Sequence, residues 1–168
     1  ALIGLGDPIH RAVMLALQHE LFVRGEPAGY LTHVTADPLP GSGAPKRVLM
    51  VPAWLDKQVP NICTEATART LGLTNLEGSI QQGLVGIPDA AGPLASALQT
   101  WDLGAFDLFD PADAPFIPPL ANLIPSGVCD PHGGRRRVPA AIVQMVEFMQ
   151  PGGGITNPCW GPGNLCGG

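Results

Sequence analysis

The chain has 168 residues, of which 45% are hydrophobic and only 14% charged, with a formal net charge of −5 at neutral pH. This composition excludes a disordered, charge-solvated segment, provides no basic field for a phosphate backbone, and so argues against nucleic-acid binding. No apolar run approaches the length of a membrane span.

Glycine and proline, 22 and 19 residues, make up roughly a quarter of the chain without a collagen-like period. A loop-rich single domain, or part of one, is therefore expected, with residues 1–150 as the folded unit and 151–168 as a Gly/Pro/Cys-rich tail. The chain opens on Ala1 with no charged stretch leading into an apolar one, and reads as a mature or excised segment.

Asp7-Pro8 is a helix start: the aspartate accepts an orphan N–H, and proline at the first helical position loses no bond. Val13, Ala16, Leu17, Leu21 and Phe22 follow at helical spacing, and Gly25 ends the element. Pro27 to His33 forms a short second helix before a Pro/Gly loop. Arg47 to Val51 contains the continuous apolar run VLMV, which suits a strand of a parallel sheet buried on both faces. Ala53 to Pro60 is a loop, and Asn61 to Leu71 a helix ended by Gly72.

Leu73 to Pro93 is punctuated by glycine and proline and shows no clear period. Ser96 to Leu103 is the second expected strand, and Gly104 to Arg137 a long loop of the kind that usually carries function. Pro139 opens a closing helix to Met149, with Ile142, Met145, Val146 and Met149 as its apolar face. The alternation is of βαβ type, which implies an α/β fold with helices covering a parallel sheet.

Cys63, Cys129, Cys159 and Cys166 are the four cysteines. Lacking any C-x-x-C pair, they favour disulfides over zinc or redox chemistry. Of three possible connectivities, Cys159–Cys166 is favoured because the six residues Trp160 to Leu165 can turn back on themselves, which leaves Cys63 with Cys129. Buried free thiols are the alternative. Disulfides would place the protein outside the cytoplasm, secreted or in the cell envelope.

Reactive groups of a parallel α/β sheet belong on loops at the carboxyl ends of its strands. Two loops qualify. One follows VLMV and carries Asp56; the other precedes the last helix and carries Asp130-Pro131-His132-Gly133-Gly134. The stretches VLMVPAWLDKQVPNICTEATARTLGL and DPHGGRRRVPAAIVQMVEFM resemble the C-terminal part of the α/β-hydrolase superfamily, particularly its bacterial esterases and lipases. The likeness spans Asp7 to about Gly152, and its specific parts are the two loops.

That resemblance implies a partial α/β-hydrolase fold: its last two parallel strands, flanking helices and a long His-bearing loop. It also implies Asp56 as the acid and His132 as the base of a Ser-Asp-His triad, in the family's chain order. Histidine exchanges protons near neutral pH and takes the proton of the nucleophile. The carboxylate holds the imidazole in the correct tautomer. Asp102 is a competing acid whose simpler role is to end its strand. His10 and His19 read as surface residues on the polar face of the opening helix, His33 lacks a partner pattern, and Arg135 to Arg137 read as a solvated run or as supplying a partner for a loop carboxylate. Trp54 and Trp101 read as packing residues, and Pro115 to Leu120 as a pocket lining or a sheet cover.

The family's nucleophile sits in Gly-x-Ser-x-Gly on a strand-to-helix turn. None of the four serines, Ser42, Ser79, Ser96 and Ser126, has glycine two residues before it. The expected partner is therefore an N-terminal segment of the same hydrolase domain, without which the chain is inactive. The expected substrate is a small-molecule or lipid ester. No metal or other cofactor is expected, because no H-E-x-x-H or Cys/His cluster occurs. The competing readings are a non-catalytic structural or interaction fragment, and a peptidase or acyltransferase of the same fold.

Overall fold

The structure, a computed structural model, describes residues 7–23, 25–103, 118–122 and 131–159; the side chains of residues 135 and 136 lie outside that description. Helix α1 spans Pro8–Val23, α2 Thr32–Thr35, α3 Asn61–Thr70 and α4 Pro139–Met149. The strands are β1 (Leu49–Met50), β2 (Thr74–Leu76), β3 (Asp89–Ala90) and β4 (Ala97–Leu98). They form one all-parallel sheet in the order β1-β4-β2-β3.

The sheet thus has four strands, where two were expected. β2 and β3 both arise from the stretch that looked irregular in sequence. Their pairing is organised by polar side chains: buried Asn75 donates to Asp89 Oδ1 at 2.6 Å and to the Gln81 carbonyl at 2.8 Å, while Asp89 Oδ2 accepts from Gly83 N–H at 2.8 Å. The two expected strands are present but shorter than Arg47–Val51 and Ser96–Leu103. Beyond β4 the chain keeps contact with the first strand through a parallel bridge, Ala53 to Trp101.

Helix starts and stops follow the local chemistry. Asp7 Oδ1 accepts from the N–H groups of Ile9 at 2.7 Å and His10 at 3.4 Å, capping α1. In α3, Thr67 and Thr70 return their hydroxyls to the carbonyls four residues back. The helix ends where Gly72 adopts φ 65° and the N–H groups of Gly72 and Leu73 bond back to Arg69 and Ala68, a Schellman closure.

The core lies on both faces of the sheet. Leu98 packs with Ala68 of α3 and with Leu71, Leu73 and Ile87, while its neighbour Ala97 faces Leu76 and Ile155, with Phe148 of α4 against them. This is the strand alternation expected of a sheet covered on each side. Farther along, Trp101 packs against Ala140 and Ala141. Arg47 ties the start of β1 to the end of α4: its guanidinium donates to the Phe148 and Gly153 carbonyls and lies 5.0 Å from the Phe148 ring centroid.

Two expected apolar faces are placed differently. In α4 the buried residues are Ala140, Ala141 and Gln144, whereas Ile142, Val146 and Met149 are exposed. The small side chains allow the helix close to the sheet, and that close approach sets its rotation. In α1 no residue is buried, and Val13, Leu17, Leu21 and Phe22 all face outward.

The described part of the tail joins the core: Ile155 is fully buried and forms an antiparallel bridge with Leu94. Cys63 is an exposed free thiol, so the expected Cys63–Cys129 pair is not formed; its position near the start of α3 turns it to solvent. Cys159 takes part in a disulfide. Cys129 and Cys166 lie outside the described residues, as do Ser126, Asp130, residues 115–117 of the Pro115–Leu120 stretch and the end of the tail.

Candidate functional site

The parallel pairing of β1 with β4 brings the loops that follow them to the same end of the sheet. The loop after β1 is stitched to the continuation of β4 by two main-chain hydrogen bonds, Trp54 N–H to Trp101 O at 2.8 Å and Trp101 N–H to Pro52 O at 3.0 Å. The chain then turns at Leu55, which adopts φ 63°, a left-handed conformation that costs a non-glycine residue about 1–2 kcal/mol. It is the one described non-glycine residue with positive φ. The next residue is Asp56.

The Asp56 side chain is only 2% exposed. Its Oδ1 accepts the N–H groups of Gln58 and Val59, each at 2.9 Å, an Asx turn that fixes one oxygen to the protein's own backbone. Its Oδ2 is directed at His132, whose Nδ1 lies 2.8 Å away across 76 positions of sequence. A carboxylate only accepts, so this contact puts the imidazole proton on Nδ1 and leaves Nε2 as the basic nitrogen of the neutral ring.

His132 lies in a 3₁₀ turn, Pro131–Arg136, that leads through Val138 into α4. The turn packs tightly on the end of β4's continuation: a Cβ on Gly134 would sit 2.9 Å from Leu103 Cδ1, so only glycine permits that approach without displacement. The His132 side chain is 27% exposed, against 2% for Asp56.

Both side chains line a cavity of about 320 Å³ whose walls include Leu49, Val51, Val59 and Met145. The apolar walls suit a hydrophobic ligand group beside a polar pair. No described serine reaches it. Ser42 donates to Leu39 O at 2.7 Å, Ser79 accepts from Thr100 N–H at 2.8 Å, and Ser96 accepts from Val48 N–H at 3.0 Å.

Asp56 and His132 are thus the two candidate residues brought together. The other candidates lie elsewhere. Asp102 is exposed, His10 and His19 lie on the exposed surface of α1, and His33 Nδ1 bonds to the Asp37 carbonyl. Trp101 is buried packing. Among the described residues no group of three metal-ligating side chains occurs, and no described helix is long and apolar enough to cross a membrane.

One contributor escaped the sequence reading. Asn61, the first residue of α3, is 1% exposed and bonds twice to the loop that carries Asp56. An asparagine directly after a proline at a helix start was the available signal. Compared with protein-family models, curated proteins and solved structures, the chain matches none.

Proposed function

We propose that this chain is the acid–base part of a serine hydrolase of α/β-hydrolase type, acting on carboxylic esters with an apolar acyl group. The observation that carries the proposal is the 2.8 Å contact between His132 Nδ1 and a buried, backbone-pinned Asp56. In such a pair the imidazole accepts the hydroxyl proton of the nucleophile through Nε2 as the hydroxyl oxygen attacks the ester carbonyl. It then returns that proton to the leaving alkoxide, and water repeats the cycle to release the acid. Asp56 stabilises the imidazolium formed between the two transfers.

The nucleophile and its oxyanion hole would come from another segment of the same domain. Its place is suggested by the β1 edge of the sheet, where β1 pairs with β4 alone among the described strands. Val48, Met50 and Pro52 turn their carbonyls towards β4, so the alternate peptide groups, those of Leu49 and Val51, point away from it. The cavity containing Asp56 and His132 runs along that same edge. A parallel strand added to β1 would satisfy those groups and deliver its following loop beside His132. The disulfide at Cys159 supports a secreted or cell-envelope location.

The test is to produce the chain together with its upstream coding segment and treat it with a fluorophosphonate and with p-nitrophenyl esters of increasing acyl length. Covalent labelling and ester turnover are expected, with Asp56→Ala and His132→Ala each lowering turnover by at least ~10³-fold. Labelling and turnover unchanged in both variants would overturn the assignment. Absence of any reaction in the wild-type protein would favour a structural or interaction role.

A further inference from the structure

We infer that Asn61 is a positioning residue: its carboxamide clamps the Asp56 loop in the one conformation that aims the carboxylate at His132. Its Oδ1 accepts the Leu55 N–H at 3.1 Å, and its Nδ2 donates to the Ala53 carbonyl at 2.7 Å. The two bonds fix both donor and acceptor ends of the amide, so its orientation is unambiguous. They bracket residue 54, whose own N–H is held by Trp101 O. Every residue from 53 to 55 is therefore tied down immediately before the carboxylate.

The clamp acts where the backbone is least content to stay. Leu55 sits at φ 63° with its side chain buried, a conformation that an unrestrained leucine would leave. If residue 55 relaxed to an ordinary extended or helical geometry, the direction in which the chain enters residue 56 would change, and Oδ2 would swing off the imidazole. The bond from Asn61 to the Leu55 N–H opposes that relaxation directly. Asn61 in turn is immobile because Pro60 and the first turn of α3 hold it, with the Cys63 N–H bonded to Pro60 O at 2.9 Å. The effect passes through Asp56, since the Asn61 carboxamide bonds to the Leu55 N–H and the Ala53 carbonyl of the loop.

The catalytic meaning of this clamp rests on the proposed function, but its test does not. In the full chain, labelled with ¹⁵N-histidine, the His132 Nδ1–H resonance is identified by its loss in His132→Gln. The Asn61→Ala and Asn61→Leu variants are then compared with Leu73→Ala, which removes a buried side chain from the core cluster behind α3. The clamp predicts that both Asn61 variants shift the resonance and raise its exchange with solvent about tenfold, the scale of a lost net hydrogen bond. Leu73→Ala should lower stability yet leave the resonance in place.

A resonance unchanged in a folded Asn61 variant, or shifted equally by Leu73→Ala, would overturn the inference. Should neither Asn61 variant fold, amide exchange in the unmodified chain decides. The Leu55 N–H is expected to be protected like the amides of the sheet, and exchange at the rate of an open loop would refute the clamp. None of these readouts involves a nucleophile or a substrate, so failure of the hydrolase proposal leaves them standing, and the converse also holds.

Discussion

Replacing Asp56 by alanine or by asparagine separates its structural from its chemical contribution. The carboxylate accepts three hydrogen bonds, two from backbone N–H groups at 2.9 Å and one from His132 at 2.8 Å. Hydrogen bonds to a charged group contribute about 1.5–3 kcal/mol each, but water can reach the partly buried donors once the side chain is gone, so Asp56→Ala should cost about 3 kcal/mol rather than the full sum. Asp56→Asn keeps an oxygen for the Gln58 and Val59 N–H groups and should cost about 1–2 kcal/mol.

The asparagine amide, however, presents N–H to His132 Nδ1, which drives the imidazole proton to Nε2. If the proposed function holds, the lone pair is then on the wrong nitrogen, and ester turnover should fall by about 10⁴-fold in both variants. Urea denaturation of the full chain measures the first effect: with a slope of about 1–3 kcal/mol per molar, the alanine midpoint falls by roughly 1–3 M and the asparagine midpoint by about half as much. Ester turnover measures the second. Equal midpoints for the two variants, or an asparagine variant that keeps near-normal turnover, would refute the reasoning.

Three further outcomes follow from the packing. Gly153→Ala would place its Cβ onto the Glu147 carbonyl oxygen and 3.1 Å from that of Gln150. It should lower stability by at least ~2 kcal/mol, whereas Gly133→Ala, with nothing within 4 Å, should stay within about 0.5 kcal/mol in thermal melts. Gln144 is fully buried and donates to Gln99 Oε1 and to Thr156 O. Gln144→Leu should therefore cost about 2–4 kcal/mol by chemical denaturation, with partial recovery in the Gln99→Leu/Gln144→Leu double variant, because one stranded acceptor is then removed. Alkylation of the native, unreduced chain should modify Cys63 and spare Cys159; peptide mass mapping that finds Cys63 blocked would contradict its exposure.

Short-range chemistry was readable from the residues alone. Asp7-Pro8 begins α1, the glycine at 72 ends α3, and Pro139 begins α4, because caps and φ preferences involve only a few neighbouring positions. The juxtaposition of Asp56 after the VLMV strand with His132 before the last helix was expected through the resemblance of their two loops to those of a known family. The rest depended on distance-blind sequence meeting three-dimensional partners. β2 and β3 are two or three residues long, too short for a hydropathy period, and they exist because Asn75 and Asp89 bond across a glycine-rich loop.

The exposed stripe of α4 shows the same limit: apolar periodicity marked Ile142, Val146 and Met149, yet close approach to the sheet selected Ala140, Ala141 and Gln144. Sequence alone marked the two loops that carry Asp56 and His132 and where the helices begin. Tertiary structure alone decided that Asp56 is buried, that Leu55 is held at positive φ by Asn61, and that an imidazole 76 residues away completes the pair, since those are consequences of parallel strand pairing and backbone clamping between segments remote in the chain.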